Sequence, residues 1–402
     1  MATTRKPNIH APMVVAGERK RLLIIGGSFG GLVTLRNLNK NGGTKTLDVT
    51  LVDPQDYWDY CLASTRCLVD PSQFEAQQFG MPLKGICDHC GATFKQGKVE
   101  TLTKESATMA GGDVVPFDYC IVATGGSYGD GAIWKARPDE LTAAARKAGF
   151  EAEHKALEGC SNVVVAGTGL VGCEIAGEIK AAYPDKNVTL IGNQLCPSIT
   201  RKQAARRANA LQKLGVNVKE GAGRITTEPV NGKITTDKGT TVDCDKLYAA
   251  TGFKFNAGFA KDLLALDDLG RIKTQDSLQA EGLDNIFVAG DIIAVPPGKV
   301  AHIAGGQFAE ATCPIVAANL ISLAAGSTKL KTYKWPSGPG PVGPFGTNMG
   351  WKVCILDGML DSVLPAWARD KMGVSFKNKT FWLDTGFDVK GLGRGTTWGR
   401  SK

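Results

Sequence analysis

The residues of this chain best equipped for chemistry are a cluster of glycines and one acid near its start. In Arg21–Gly31 an apolar run turns through Gly26, Gly27, Ser28, Phe29, Gly30 and Gly31 into a helical pattern carrying Leu32, Leu35 and Leu38. A dinucleotide-binding βαβ unit begins in this way. Gly26 permits a tight turn, Ser28 stands where the backbone meets a pyrophosphate, and Gly31 lets helix and strand pack closely. The free N–H groups and positive dipole end of such a helix hold phosphate. The next apolar run, Asp48–Val52, delivers Asp53, a carboxylate able to accept both hydroxyls of an adenosine ribose. Ser28 replaces the usual middle glycine, so the backbone approach has to tolerate a small Cβ.

One such turn says little in a chain with 50 glycines, because an ordinary strand-to-helix turn reads the same way. A second copy changes that. Val163–Gly172 repeats the strand, the turn and the helix start, now with Gly167, Gly169 and Gly172 all in place and Leu170 opening the helix. Two nucleotide units argue for two nucleotides, and the usual pairing is a flavin with a nicotinamide. The strand tip of the second unit reads Gly192-Asn193 and lacks the acid that would grip a 2′-hydroxyl and repel a 2′-phosphate. Arg201, close in sequence, can meet that phosphate. NADPH is therefore expected to be accepted alongside NADH.

These motifs need two open α/β sheets to position them, and the composition allows both. At 402 residues, 43% apolar and 21% charged, the chain can bury two or three cores, which excludes bulk disorder. A net charge of +8 suits anionic partners such as nucleotides or phospholipid headgroups without choosing among them. Nothing in the pattern asks for nucleic acid. Eleven cysteines lie scattered without a paired framework, which fits reduced thiols in a cytoplasmic compartment. No apolar run reaches the ~18 residues of a membrane span. Residues 1–20 read as a basic tail, with Arg5, Lys6, Arg19 and Lys20 against Glu18; a mitochondrial presequence is the alternative.

Taken in order, the aromatic-rich loop Pro54–Tyr60 leaves the sheet edge where ligands bind in such folds. Phe94–Thr103 reads as a strand, Asp118–Val122 as a buried strand ending in Ala123-Thr124-Gly125, and Pro138–Glu158 as a helix. Ala250-Thr251-Gly252 echoes the first Ala-Thr-Gly turn. These turns mark where the chain leaves a first domain and returns to it, and both are expected at the cofactor edge. The return ends in Gly290-Asp291, followed by a Pro/Gly loop and a helix from about Val300. The expected architecture is two Rossmann-type domains plus a C-terminal α+β region. Residues 21–126 with 253–335 form the flavin domain, 127–252 the nicotinamide domain, and 336–402 the C-terminal region.

With both fingerprints, both Ala-Thr-Gly turns and Gly290-Asp291 in hand, the chain resembles the two-dinucleotide-binding-domain flavoproteins. Within them it is similar to the apoptosis-inducing-factor-like group that includes ferroptosis suppressor protein, with type II NADH dehydrogenases next. The resemblance covers roughly residues 20 to 330. It implies FAD in the first domain, NAD(P)H in the second, and electron transfer through the flavin to a quinone such as ubiquinone or vitamin K. It also implies that Asp291 holds the flavin ribityl chain and that Glu174 lies near the nicotinamide. Lys299, Val300 and His302 would open a helix whose positive end faces the flavin, with His302 able to relay a proton to the quinone. The N-terminal Met-Ala departs from the Met-Gly that myristoylation needs.

Two thiol pairs invite weighing. Cys61 and Cys67 stand where disulfide reductases of this fold carry a redox pair, but the spacing differs and two unpaired thiols are expected. Cys87-Asp-His-Cys90 has zinc-like spacing without a second ligand pair, so no metal is expected. Apolar residues at 351, 355, 359, 363 and 367 recur at near-helical period among lysines and aromatics, which suits a membrane interface or a docking helix. The leading reading is an FAD-dependent NAD(P)H:quinone oxidoreductase, peripherally membrane-associated; homodimer formation is left open. The alternative is a redox-controlled binding protein that oxidises NAD(P)H only slowly.

Overall fold

The computed structural model describes residues 19–76, 79–128, 132–301, 306–337, 345–349, 353–357 and 362–364. Two parallel sheets carry the two glycine turns. The first runs in the order Ile286–Val288, Tyr119–Val122, Lys20–Ile25, Leu47–Asp53, Thr93–Gln96. The second runs Asn217–Glu220, Asn187–Gly192, Asn162–Ala166, Lys246–Ala249. Their central strands are runs of Val, Ile and Leu without alternation, as expected for strands covered on both faces. Leu22, Leu23, Ile24 and Val163, Val164, Val165 are all buried.

Register brings the motifs to one edge of each sheet. Ile25 lies level with Val52 and Val122, and Val122 with Val288. The next residues along these strands are Gly26, Asp53, Ala123 and Ala289, so four separate stretches end side by side. In the second sheet Ala166 lies level with Ile191 and Ala249, which aligns Gly167, Gly192 and Ala250. The chain crosses between the sheets twice. The two crossings pair as short antiparallel strands, Gly126–Ser127 against Lys254–Phe255.

Four sequence expectations change. Phe94–Thr103 is two strands, because Gly97 at φ +156° breaks the run; Thr93–Gln96 stays in the parallel sheet and Val99–Leu102 joins an antiparallel one. The Pro138–Glu158 helix starts later, at Ala143, where the Thr142 hydroxyl caps the Ala145 N–H. Lys299, Val300 and Ala301 are not helical: Pro296-Pro297-Gly298 turns the chain, Val300 N–H donates to the Pro336 carbonyl, and the described helix runs Gly306–Ala324. Of the C-terminal apolar positions, Ile355 and Val363 lie in strands and not in a helix, while Trp351, Met359 and Trp367 lie outside the described residues. Phe345–Met349, Val353–Asp357 and Ser362–Leu364 form an antiparallel sheet, the β-branched and aliphatic residues pairing across strands. This sheet meets the second nucleotide unit: a Cβ on Gly177 would lie 2.6 Å from Met349 Cβ. The remaining C-terminal residues lie outside the described residues.

The sheets are held together through their helices. Arg66, on the short Ser64–Val69 helix, forms a buried ion pair with Glu178 on Leu170–Ala182, Nε to Oε2 at 2.6 Å and Nη2 to Oε1 at 2.7 Å. Breaking a buried pair by removing one partner leaves an uncompensated charge, at a cost of about 3–5 kcal/mol. Arg66→Met should therefore lower the denaturation midpoint sharply, and adding Glu178→Leu should recover much of the loss. A double variant as unstable as the single one would count against this.

Candidate functional site

At the first turn, glycine is imposed by close backbone approach. Gly26 has φ +110° and a Cβ there would lie 2.5 Å from the Ala123 carbonyl oxygen; one on Gly31 would lie 1.8 Å from the Gly26 oxygen. The second turn repeats this geometry. Gly167 has φ +106° with the Ala250 oxygen 2.8 Å from its added Cβ, and Gly172 would strike the Gly167 oxygen at 1.8 Å. Each fingerprint therefore sits against its own Ala-Thr-Gly turn, and Thr251 Cγ2 lies 2.8 Å from the Cβ position of Gly167.

Both turns open helices whose first N–H groups no side chain caps. Ser28 caps Phe29–Lys40 and Gly169 caps Leu170–Ala182, neither with a side-chain hydrogen bond nor with an acid in the first turn. By contrast the hydroxyls of Thr142 and Thr200 cap Ala143–Glu158 and Arg201–Leu214. Unpaired donors at the fingerprint helices fit an anion supplied from outside the chain. A Cβ at Gly169 meets nothing within 4 Å, so each cradle has room at its middle position. The serine at position 28 is accommodated in the matching place.

Asp53 ends its strand directly beneath the first turn. Its carboxylate accepts from the Gly27 N–H at 2.5 Å and from the Gln55 N–H at 2.9 Å. Burial pushes its pKa up to about 6 against these two donors. Phe29 packs edge-on to Trp58 at 5.5 Å, and Trp58 to Tyr60 at 5.2 Å. The aromatic loop is thus a buried support for the turn, with Tyr57 and Trp58 in the core, and not an open rim. Gly290, at φ +75°, brings Asp291 alongside, since a Cβ there would lie 3.4 Å from the Gly30 Cα. Thr124 donates its hydroxyl to the Asn256 carbonyl at 2.7 Å, and the Asn256 N–H donates to Gly125, which locks the first Ala-Thr-Gly turn to the returning chain. Gly252 takes φ +76° at the second.

Between the two edges lies a cation that the motifs did not announce. Lys135 hydrogen-bonds Cys61, and although burial works against its charge, Cys61, Asp59 and Asp291 hold its ammonium above its ordinary range. The Lys135 ammonium pulls the Cys61 thiol down, but burial outweighs it and pushes the thiol up. Tyr128 feels Lys135, Cys61 and Glu174 together, so the cluster spans Asp291 on the first sheet and Glu174 on the second unit's helix. The backbone around Lys135 is clamped on both sides. Trp134 Nε1 donates to the Ala249 carbonyl at 2.8 Å, Ala136 N–H to Asp59 at 3.0 Å, and Ser64 hydroxyl to Trp134 at 3.3 Å. Fully buried Arg146 completes the clamp, bonding Asp59 at 3.2 Å, Glu140 at 2.9 Å and the Ile133 carbonyl at 2.8 Å. Residues 133–146 carry no motif, so only their proximity to Asp59 in space reveals them.

The other expected residues fall as follows. Glu174 is half-buried in the Leu170–Ala182 helix. Lys299 is exposed and Val300 half-buried, both in the Pro/Gly loop. His302 lies outside the described residues. Asn193 is exposed at the strand tip, and Arg201 pairs there with Glu220 at 2.8 Å. Glu220 lies level with Gly192 and also accepts the Leu195 N–H, the main reason its carboxyl is held below the usual range. An acid, Glu220, therefore stands beside the strand tip on the neighbouring strand. Cys67 is buried with its thiol pushed up, and the ten cysteines whose side chains are described, Cys61 and Cys67 among them, are free thiols. Cys87 and Cys90 share one helix, their thiols raised by burial to about 12 and about 11. Among the described residues no group of three or more His, Cys, Asp or Glu is placed to hold a metal ion.

Known proteins are similar to this chain in sequence or in fold. The FAD-dependent oxidoreductase FVFD30 of Flammulina velutipes is 30% identical over 305 residues, 71% of this chain and 91% of its own length. Ferroptosis suppressor protein 1 of Homo sapiens is 28% identical over 302 residues, 71% of this chain and 77% of its own. The sulfide:quinone oxidoreductase of Aquifex aeolicus superposes with a TM-score of 0.70 at 17% identity, covering 92% of each chain, and shares the fold. A ferredoxin reductase of Rhodopseudomonas palustris gives 0.64 at 16% identity over 84% and 82%. Residues 20–309 match the pyridine nucleotide-disulphide oxidoreductase family. With two uncapped glycine-turn helices at two parallel sheets, the chain belongs to that family and is an FAD-dependent NAD(P)H oxidoreductase.

Proposed function

We propose that the protein passes electrons from NAD(P)H to a lipid-soluble quinone. The observation that carries this reading is the pair of uncapped fingerprint helices facing a shared cationic cluster, which gives two nucleotides a common meeting place. In this reading Gly26–Gly31, Asp53, Ala123–Gly125, Gly290 and Asp291 bind the flavin, and Gly167–Gly172, Asn193, Thr251 and Gly252 bind the nicotinamide nucleotide. Bound FAD supplies the two-electron relay between NAD(P)H and the acceptor. The residues bind, orient and handle protons. Asp291 orients the ribityl side, Glu174 stands by the nicotinamide, and Lys135 Nζ holds positive charge and a proton where electron density accumulates. Lys299, Val300 and His302 follow Asp291 in sequence. His302 is the proposed donor of the second proton that a quinone takes up on reduction.

A quinone acceptor is favoured over a disulfide because Cys61 is engaged by Lys135 while Cys67 has its thiol raised by burial. Lipid-soluble quinone partitions into membrane. Among the described residues no helix is long and apolar enough to cross one, so access from a membrane surface belongs to the same proposal. An acceptor panel on purified FAD-loaded protein tests it. Rapid NAD(P)H oxidation with ubiquinone or menadione-type quinones is expected; bleaching of one flavin equivalent without turnover would favour the redox-controlled binding protein instead.

Two further outcomes follow from the site. Ribose hydroxyls donate best to an ionised carboxylate, and burial pushes the Asp53 pKa up to about 6. The raised value means that the free fold gains stability as pH falls through about 6, while FAD binding requires the proton to leave. FAD affinity should therefore rise between about pH 5 and about pH 7, measured by flavin fluorescence on apoprotein, and Asp53→Asn should bind more weakly with a flatter profile. A flat profile in the unmodified protein would remove Asp53 from the ribose site. Glu220→Gln should release Arg201 and raise the NADPH-to-NADH ratio of kcat/KM by roughly fivefold, the upper end for one exposed charge pair. An unchanged ratio would exclude Glu220 as the discriminating acid.

A further inference from the structure

The second nucleotide unit contains a thiol pair that neither fingerprint explains. Cys173, in the first turn of the Leu170–Ala182 helix, and Cys196, in the loop that follows Asn193, bring their sulfurs to 3.6 Å. The two residues are 23 apart in sequence, and both are fully buried. We propose that Cys173 and Cys196 form a reversible disulfide, made by a hydroperoxide, that ties the helix to the nucleotide-tip loop and weakens NAD(P)H binding. The effect on binding rests on the reading of this unit as the nicotinamide site; the disulfide itself does not.

The geometry suits this step. The sulfurs need to approach from 3.6 Å to bonding distance, about 2.05 Å. Cys196 sits at φ +44° in a stretch without regular structure. Asn193, Gln194, Pro197 and Ser198 around it are exposed, so a small opening of the loop admits a peroxide. The thiols differ in place: Cys173 is held in a helix and Cys196 lies in a loop. The two thiols share one hydrogen bond, and buried Arg207 lies near enough to favour a thiolate on either, against burial and Glu174. Cys196, in the loop whose exposed neighbours let a peroxide in, is the attacking thiolate. It takes one peroxide oxygen to give a sulfenic acid, and the departing alkoxide or hydroxide gains a proton. The Cys173 sulfur then displaces water from the sulfenic sulfur and loses its own proton. Two thiols and one hydroperoxide become one disulfide, one alcohol or water, and one further water.

Closing the bond pulls on the cradle. Cys196 N–H donates to the Thr168 carbonyl at 2.7 Å, and the Thr168 hydroxyl donates to the Gln194 carbonyl at 2.7 Å. Thr168 is a residue of the glycine turn itself, and Gln194 adjoins Asn193. A shift of more than an ångström at the sulfurs therefore moves the loop against the turn that meets the pyrophosphate.

The test uses the full chain loaded with FAD. After reductant is removed, it is treated with hydrogen peroxide, quenched with alkylating agent and digested. The expected product is a Cys173–Cys196 linked peptide that dithiothreitol cleaves and that the Cys196→Ser variant does not form. Titration with NADPH, followed by quenching of protein fluorescence, should give a Kd roughly tenfold higher for the oxidised form, restored on reduction. Peroxide that leaves both thiols free, or links other cysteines, overturns the proposal whether or not the variant folds. A correct link with unchanged affinity overturns its regulatory part. A correct link in a protein that binds no nicotinamide nucleotide even when reduced would instead overturn the assignment of this unit.

Discussion

Everything at the two edges depends on the absence of a side chain at Gly31 and Gly172. At each, a Cβ would fall 1.8 Å from the carbonyl of the turn glycine, a distance that no relaxation of the neighbouring backbone absorbs. With hydrogen there, helix and strand approach closely enough for the helix N-terminus to stand over the strand end. The dipole and the unpaired N–H groups then point along the edge where the other strands finish. Register does the rest. Asp53, Ala123 and Ala289 arrive beside Gly26 because their strands are parallel and end level with it.

A second constraint joins the two edges. Parallel sheets alone leave two separate nucleotide sites, and reaction between them needs a fixed separation and orientation. The connecting segment around Lys135 provides this. It hydrogen-bonds Ala249 on one side and Asp59 and Ser64 on the other, and Arg146 ties Asp59, Glu140 and Ile133 into one buried network. The Arg66–Glu178 pair braces the same seam. Buried charge is costly unless fully paired, so such a network is better understood as positioning than as net stabilisation. Cys61 first, then Asp59 and Asp291, keep the proton on Lys135 at the seam against its burial.

The polar rim of the second site shows how one charge can be supplied from an unexpected strand. The position that decides a 2′-phosphate lacks an acid in the usual place, yet Glu220 reaches the same loop and neutralises Arg201. In the proposed function, preference between the two nucleotides rests on this pair of exposed charges, a weak and easily shifted device.

How much was legible in the chain before folding follows from the range of the forces involved. Tight turns are local, so both fingerprints, both Ala-Thr-Gly turns, Gly290-Asp291 and the parallel α/β class could be read from spacing alone. Local reading failed where tertiary partners decide. The apolar period after residue 350 fits a helix as well as a hairpin, and cross-strand pairing with Phe345–Met349 chose the strands. The run through Gly97 looked continuous until one positive φ split it between two sheets. Lys135 with Cys61, Glu220 with Arg201, and Cys173 with Cys196 are separated by 19 to 74 residues, and no periodicity links them. The sequence by itself determined which backbone could approach a phosphate, because that needs only a missing Cβ. Only the tertiary structure decided which charges and thiols meet, because contacts across the seam depend on how the sheets and loops pack.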